Sequence, residues 1–416
     1  MEAKKGERSR YATLLARDVL SVQSAHIRTK FELAPASMVA EKACCLTNEA
    51  IASWEDGRGI RRLRPGEVLF EKDGKTFVLP LLEREVLAKL GREVSSKAIR
   101  RELEVVQYQR LKEVNPEASF EDLWRLIDQS QLTLRRQGKD FLPESPLNAE
   151  TLRPASLNLA KGEIPLEALK PAIEVLVEEW GLRPGQAEGM VGLASQIYAW
   201  CCPRIEVLQP GQVVWLAHGT RRSRRTDPRL FSPVVLTLIT PEEMDSPLTS
   251  RADLKRLKTR QIERLTAEAW RQDGVLTTLD LEWLLGISPS QIREILEAYH
   301  ERFGILLPTA GTVLDMGRTL THKTIVVEMA LSGLTTVEIA RRIYHTPEAV
   351  DQYLRTFDRV LMLRYYRVPF SAIVQVVGHS RSLVEEHLEL AEKHFPDEEA
   401  IAAYLAKRGI ELERSG

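Results

Sequence analysis

The sequence of 416 residues predicts a mainly α-helical fold with small β-hairpins, and with helix pairs repeated in its C-terminal half. Three observations predict it. Apolar residues recur three and four apart through most of the chain, the period of amphipathic helices. Aromatic residues make up only 6% while charged residues reach 28%, which suits helices with solvated outer faces. Short apolar runs bounded by turn dipeptides occur at two places only.

Residues 8–56 read as helix. In LRPGEVLFEKDGKTFVLPLL, residues 63–82, Pro65–Gly66 and Asp73–Gly74 flank the runs EVLF and TFVLP, so this segment predicts a β-hairpin. Residues 81–135 return to helical spacing, with Ser119 as a candidate N-cap before Glu121 and Asp122. A Pro-rich stretch (Pro143, Pro146, Pro154, Pro165) marks a linker over 137–166. Residues 1–136 are then an N-terminal α-rich domain and 167–250 a middle domain. The latter holds a helical segment and a second hairpin, QVVWLA and PVVLTLIT, joined by an arginine-rich connector. Its opening, LQPGQVVW, echoes LRPGEVLF.

From residue 251 onward the signal is helical and repeats. In GLTTVEIARRIYHTPEAVDQYL, residues 333–354, Thr335 or Thr336 can cap a first helix and Glu338 lies in its first turn. Ile339 and Ile343 share a face, and Ala340 is small enough for two helices to cross closely. Tyr344–His345 form the turn, Thr346 caps a second helix, Pro347 suits its first position, and Val350 and Leu354 point inward. This is the residue pattern of a helix-turn-helix. It recurs at residues 368–388, where Ile373, Val377, Ser380, Val384 and Leu388 take the same places. It recurs again at 278–296, where Leu281, Leu285, Ser288, Pro289, Ile292 and Leu296 do so. Glu282 stands where Ala340 does. The first unit is followed by ILLPTAGTVL, whose ILL and TVL runs could pair across Pro308–Gly311 as a wing. The C-terminal half thus divides into 251–318 (basic helix and winged unit), 319–362 (second unit) and 363–416 (third unit and a C-terminal helix).

Outward faces carry the functional expectation. In the second unit these are Thr346, Glu348, Asp351, Gln352, Arg355 and Arg359, with Arg341 and Arg342 on the first helix, where phosphate contacts are usual. The first unit offers Ser290, Gln291 and Arg293; the third presents Glu385, Glu386 and Glu389, which repel phosphates. Two basic segments precede them. HGTRRSRRTDPR holds Arg221, Arg222, Arg224, Arg225 and Arg229 against Asp227 alone. Residues 251–271 hold seven basic residues against three acidic ones, which predicts a basic helical surface. The formal net charge is −1, so any contact with nucleic acid must come from such local patches.

Little in the chain suggests chemistry. Phosphate-loop, dinucleotide, zinc-protease and serine-elbow motifs are absent, and the eight histidines lack ligand spacing to cysteine. The four cysteines form two adjacent pairs, Cys44–Cys45 and Cys201–Cys202, which read as reduced thiols. No cofactor or metal is expected. No run approaches the roughly 20 apolar residues that span a bilayer, and residues 1–20 lack signal-peptide features. A cytoplasmic, non-enzymatic protein without membrane contact is the expectation.

The stretches GLTTVEIARRI and TPEAVDQYL resemble the DNA-binding units of LuxR-type response regulators and of sigma-factor region 4. The longer stretch ILLPTAGTVLDMGRTLTHKTIVVEMALSGLTTVEIARRIYHTPEAVDQYLRTFDRV, with LQPGQVVWLAHG and SPVVLTLITPEE, resembles a prokaryotic family known as domain of unknown function 1670. That resemblance would cover most of the chain and implies no activity. The expected partner is double-stranded DNA, and the expected role a transcriptional regulator. A second copy or another protein could bind through the N-terminal domain or the acidic third unit. The alternatives are an accessory of a mobile element, which shares the DNA surface, and a protein-interaction scaffold in which the units are structural.

Overall fold

The computed structural model describes residues 13–14, 17–35, 37–72, 74–81, 96–114, 116–117, 119, 164–220, 231–245, 250–314 and 322–412. The fold is mostly helical with a small antiparallel sheet, and it divides into two compact units, Met1–Phe303 and Gly304–Gly416. The expected linker at 137–166 lies almost wholly outside the described residues, as does the helix beyond Ser119. The segments that flank them share one core and one sheet.

In the first unit, α1 (Val19–Lys30), α2 (Val39–Asp56), α4 (Leu166–Glu178) and α5 (Pro184–Cys201) pack around Val22, Ile27, Ile51, Leu176, Val191 and Ala194. The sheet has the order β2-β1-β3-β4, from β1 (Glu67–Lys72), β2 (Lys75–Pro80), β3 (Gln212–Gly219) and β4 (Phe231–Thr237). The short β5 (Gly274–Val275) pairs with the far end of β3. The two echoing sequences lie side by side and antiparallel, with Val68 opposite Val213. Gly66 N–H donates to Val214 O at 2.7 Å, and Gly211 N–H donates to Leu69 O at 2.6 Å. Each of these glycines also accepts from the partner strand of its own hairpin, Gly66 O from Leu81 N (2.7 Å) and Gly211 O from Leu238 N (2.9 Å). The two Pro-Gly turns therefore make equivalent bonds across the middle of the sheet.

Each outer strand meets a helix. Gln107, on α3 (Ser96–Val114), donates to Pro80 O at the end of β2. The free edge of β4 would expose unpaired backbone groups; α7 (Arg251–Arg271) and its C-cap cover it. Gln272 accepts from Val235 N (2.9 Å) and donates to Val235 O (2.8 Å), Glu268 accepts from Thr237 N (2.6 Å), and Arg264 donates to Thr237 O (2.8 Å). The Arg264 guanidinium also grips both oxygens of Glu243 at 2.8 Å, on α6 (Pro241–Asp245). The expected basic surface at 251–271 is therefore partly internal. Lys255 and Lys258 are buried, and among its described side chains only Arg256 and Arg260 of the basic set are exposed. Charge spacing alone did not reveal this, because the lysine stems occupy the helix face that packs inward.

The helix pair α8 (Thr278–Leu285) and α9 (Pro289–Phe303) completes the unit. Asp280 of α8 is fully buried; it accepts from Thr277 N and Oγ1 (2.7 and 2.8 Å), Trp215 Nε1 (3.1 Å) and the Arg17 guanidinium.

The second unit is helical: α10 (Ala310–Leu314), α11 (His322–Leu331), α12 (Thr336–Ile343), α13 (Pro347–Tyr365), α14 (Phe370–Val377), α15 (Arg381–His394) and α16 (Glu398–Lys407). The long α13 is its axis. Val350, Leu354, Phe357 and Leu361 face α11, α12 and α16, while Val360 packs with Ile373, Val377 and Val384 of α14 and α15. The wing expected at 305–314 does not form. Thr309 and Thr312 cap one another reciprocally, hydroxyl to backbone N–H at 2.8 and 3.3 Å, and this starts α10 where a strand was expected.

Two substitutions test these supports. A Cβ at Gly211, where φ is +84°, would sit 1.9 Å from Ile239 O, so Gly211→Ala should lower stability by about 2 kcal/mol or more in urea denaturation. Arg17→Ala strands a buried carboxylate and should cost roughly 3 kcal/mol, much of it recovered on adding Asp280→Asn.

Candidate nucleic-acid interface

The three repeated helix pairs share local geometry. After the first helix of each, one residue is left-handed: Gly286 (φ 66°), Tyr344 (φ 59°) and Gly378 (φ 70°). The second helices are capped by Ser288, Thr346 and Ser380, each accepting from the backbone N–H three residues on at 3.3–3.4 Å. Capping boxes start α8 and α12, Thr277 with Asp280 and Thr335 with Glu338, whereas Pro369 leaves α14 uncapped. Tyr344 holds a conformation that costs a non-glycine residue about 1 kcal/mol or more. Beside it, His345 bonds through Nε2 to Thr312 O at 2.9 Å.

The pairs differ in what they expose. Residues Leu279–Leu285 of α8 are all buried, so the first helix of the first pair presents almost no face to solvent. On α9, Gln291 accepts from Ser288 N at 2.9 Å and Ser290 Oγ lies 2.9 Å from Ser288 Oγ, which engages both in the cap. Arg293 is exposed, but Glu294, Glu297 and Glu301 share its helix surface. On α15, Glu385 and Glu389 are exposed, and Glu386 accepts from Thr324 at 3.2 Å.

The second pair is different. Arg341 and Arg342 at the end of α12, and Gln352, Arg355 and Arg359 along α13, are exposed. Spacings of three and four place Glu348, Gln352, Arg355 and Arg359 on one side of α13. Thr346 and Glu348 belong to the cap: hydrogen bonds from its own N–H and from Thr346 hold the Glu348 carboxyl below the usual range. Asp351 is half-buried. The other arginines described in this unit are paired: Arg364 with Glu392 (3.3 Å), Arg367 with Glu398 (2.9 Å), Arg381 with Glu385 (3.2 Å) and Arg408 with Asp358 (3.2 Å). Arg341, Arg342, Arg355 and Arg359 form no ion pair with a carboxylate among the described residues, although Arg341 and Arg342 lie near enough to Glu338 to lower its carboxyl. Arg221, Arg222, Arg224 and Arg225 lie outside the described residues.

Other titratable groups have structural settings. Burial pushes the Cys44 and Cys202 thiols up to about 12 and raises Cys201 well above its ordinary value, so they stay protonated and weakly nucleophilic. Among the described residues no group of histidine, cysteine or carboxylate side chains could hold a metal ion, and no helix is long and apolar enough to cross a membrane.

What the fold defines is a mainly helical protein with a small antiparallel sheet and repeated short helix pairs. Residues 204–390 match the model of the family described as protein of unknown function (DUF1670). The match runs from just before β3 into α15; it does not extend over most of the chain, as the resemblance implied. No curated protein and no solved structure matches the chain.

Burial lowers the Lys258 ammonium from its ordinary value of 10.5 to about 7, with Glu243 opposing the shift. The unfolded chain thus binds more protons between about pH 7 and 10.5, and stability rises with pH through that window. Lys258→Met should remove this rise and stabilise the protein at pH 7, as read by urea midpoints at pH 7 and pH 9.5.

Proposed function

We propose that the protein binds double-stranded DNA through the second helix pair and acts as a transcriptional regulator in the cytoplasm. The observation that carries the reading is the set of four exposed, unpaired arginines on α12 and α13, in a unit whose other described arginines are all matched to carboxylates. An unpaired guanidinium suits phosphate or the guanine edge, because both present two acceptors to its fork. In this reading α12–α13 is a helix-turn-helix with α13 in the major groove. Gln352 and Arg355 reach base edges; Arg341, Arg342 and Arg359 hold phosphates. The buried faces of α12 and α13 support it, because Ile339, Ala340, Ile343, Val350 and Leu354 lock the crossing that aims these side chains.

The first and third pairs have structural work in this reading. The first has its leading helix sunk in a core, and the third turns glutamates outward. No catalytic step is assigned.

The test is selection from a random duplex pool at two salt concentrations. An enriched motif is expected, with affinity falling steeply as salt rises. Arg355→Ala should cost about 1–3 kcal/mol on the selected site and relax one base position, while Arg341→Ala/Arg342→Ala should weaken all sequences alike. Absence of any enriched motif at low salt would refute base reading.

A further inference from the structure

The stretch GRGIRRLR, residues 57–64, holds four arginines, and one of them is set apart from the rest. Arg62 turns inward. Its guanidinium meets both oxygens of Glu55 (Nε at 2.8 and 2.9 Å, Nη2 at 2.7 Å) and donates to Cys202 O at 2.7 Å. Two backbone bonds, Leu63 N to Pro203 O (2.9 Å) and Ile205 N to Arg61 O (3.0 Å), fix the stretch beside residues 203–205. Arg58 lies 4.1 Å from the centre of the Trp54 ring and donates to Trp54 O at 3.1 Å.

The backbone that carries Arg58, Arg61 and Arg64 is thus pinned, while the three residues are exposed and have no carboxylate partner among the described residues. Acids of the surrounding stretches are Asp56, Glu67 and Glu206. Glu67 is already engaged, with one oxygen 3.7 Å from Arg110 and the other accepting from Arg64 N at 2.8 Å. Sequence spacing offered the signal, four arginines in seven residues, but could not tell the buried anchor from the exposed set.

We infer that Arg58, Arg61 and Arg64 form a phosphate-binding ridge on the first unit that contacts the backbone of duplex DNA. The choice of duplex DNA as the polyanion rests on the function proposed above. Guanidinium forks clamp phosphate oxygens bidentately, and donors carried on a fixed backbone lose less entropy on binding than donors on a mobile one. Phosphate contacts carry no base information, so the contact is independent of sequence and strongly dependent on salt.

The experiment titrates the full chain with a short random-sequence duplex at several salt concentrations, by fluorescence anisotropy. The variants are Arg61→Ala/Arg64→Ala, Arg61→Lys/Arg64→Lys and Arg355→Ala. Both targeted side chains are exposed and Arg62 is untouched, and circular dichroism checks the fold. The alanine pair should bind roughly three- to tenfold more weakly on every sequence, with a log–log salt slope shallower by about 2. The lysine pair should recover most of that loss. Unchanged affinity and slope in the alanine pair, with the parent binding DNA, overturns the ridge and leaves the recognition face intact. A parent that selects no motif but loses salt-sensitive binding in the alanine pair keeps the ridge and sinks base reading. A parent that binds no duplex at low salt overturns both.

Discussion

Asp280 brings a formal charge into the interior of the first unit, and a buried carboxylate is tolerated only where donors replace water. Here they come from three places far apart in sequence: Arg17 near the start, Trp215 in the middle of β3, and Thr277 at the head of α8. Arg17 is itself held by Leu216 O at 3.3 Å and lies 5.0 Å from the centre of the Phe231 ring. The N-terminal segment, the sheet and the helix pair α8–α9 are thereby joined at one carboxylate. An uncompensated charge at that depth would be costly, so the contacts that bring the three segments together stabilise one another.

That constraint decides how the repeated helix pairs can differ. The same capping chemistry starts α8 and α12, but Asp280 stands where Glu338 does. Glu338 stays at the surface, where hydrogen bonds from Thr335 and then the nearby Arg342 and Arg341 keep its carboxyl low. Asp280, one methylene shorter, closes its cap and uses its other oxygen for Arg17 and Trp215. One cap is a local device; the other is a tertiary one. The same motif therefore serves a core in the first unit and an exposed arginine surface in the second.

A related economy appears along α7. Its polar side chains do the work of a further strand, satisfying the open edge of β4 through Gln272, Glu268 and Arg264, while Glu263 accepts from Tyr299 Oη at 2.5 Å. Much of its charge therefore serves the fold. Charges that close an edge and charges left at the surface look alike until the neighbours are in place.

The sequence by itself determined the local structure. The Thr/Ser caps, the inward Ile339, Ile343, Val350 and Leu354, and the Pro-Gly turns act over a few residues, so spacing and side-chain chemistry suffice to read them. Arg341, Arg342, Arg355 and Arg359 were legible for the same reason, since a helix face follows from its period. Tertiary structure decided the rest. It decided that two hairpins make one sheet, that Lys255 and Lys258 go inside, that Thr309 and Thr312 start a helix where a wing was expected, and which arginines are matched by carboxylates. Each of these depends on partners tens to hundreds of residues away, or on competition between two locally acceptable structures, and periodicity carries no record of either.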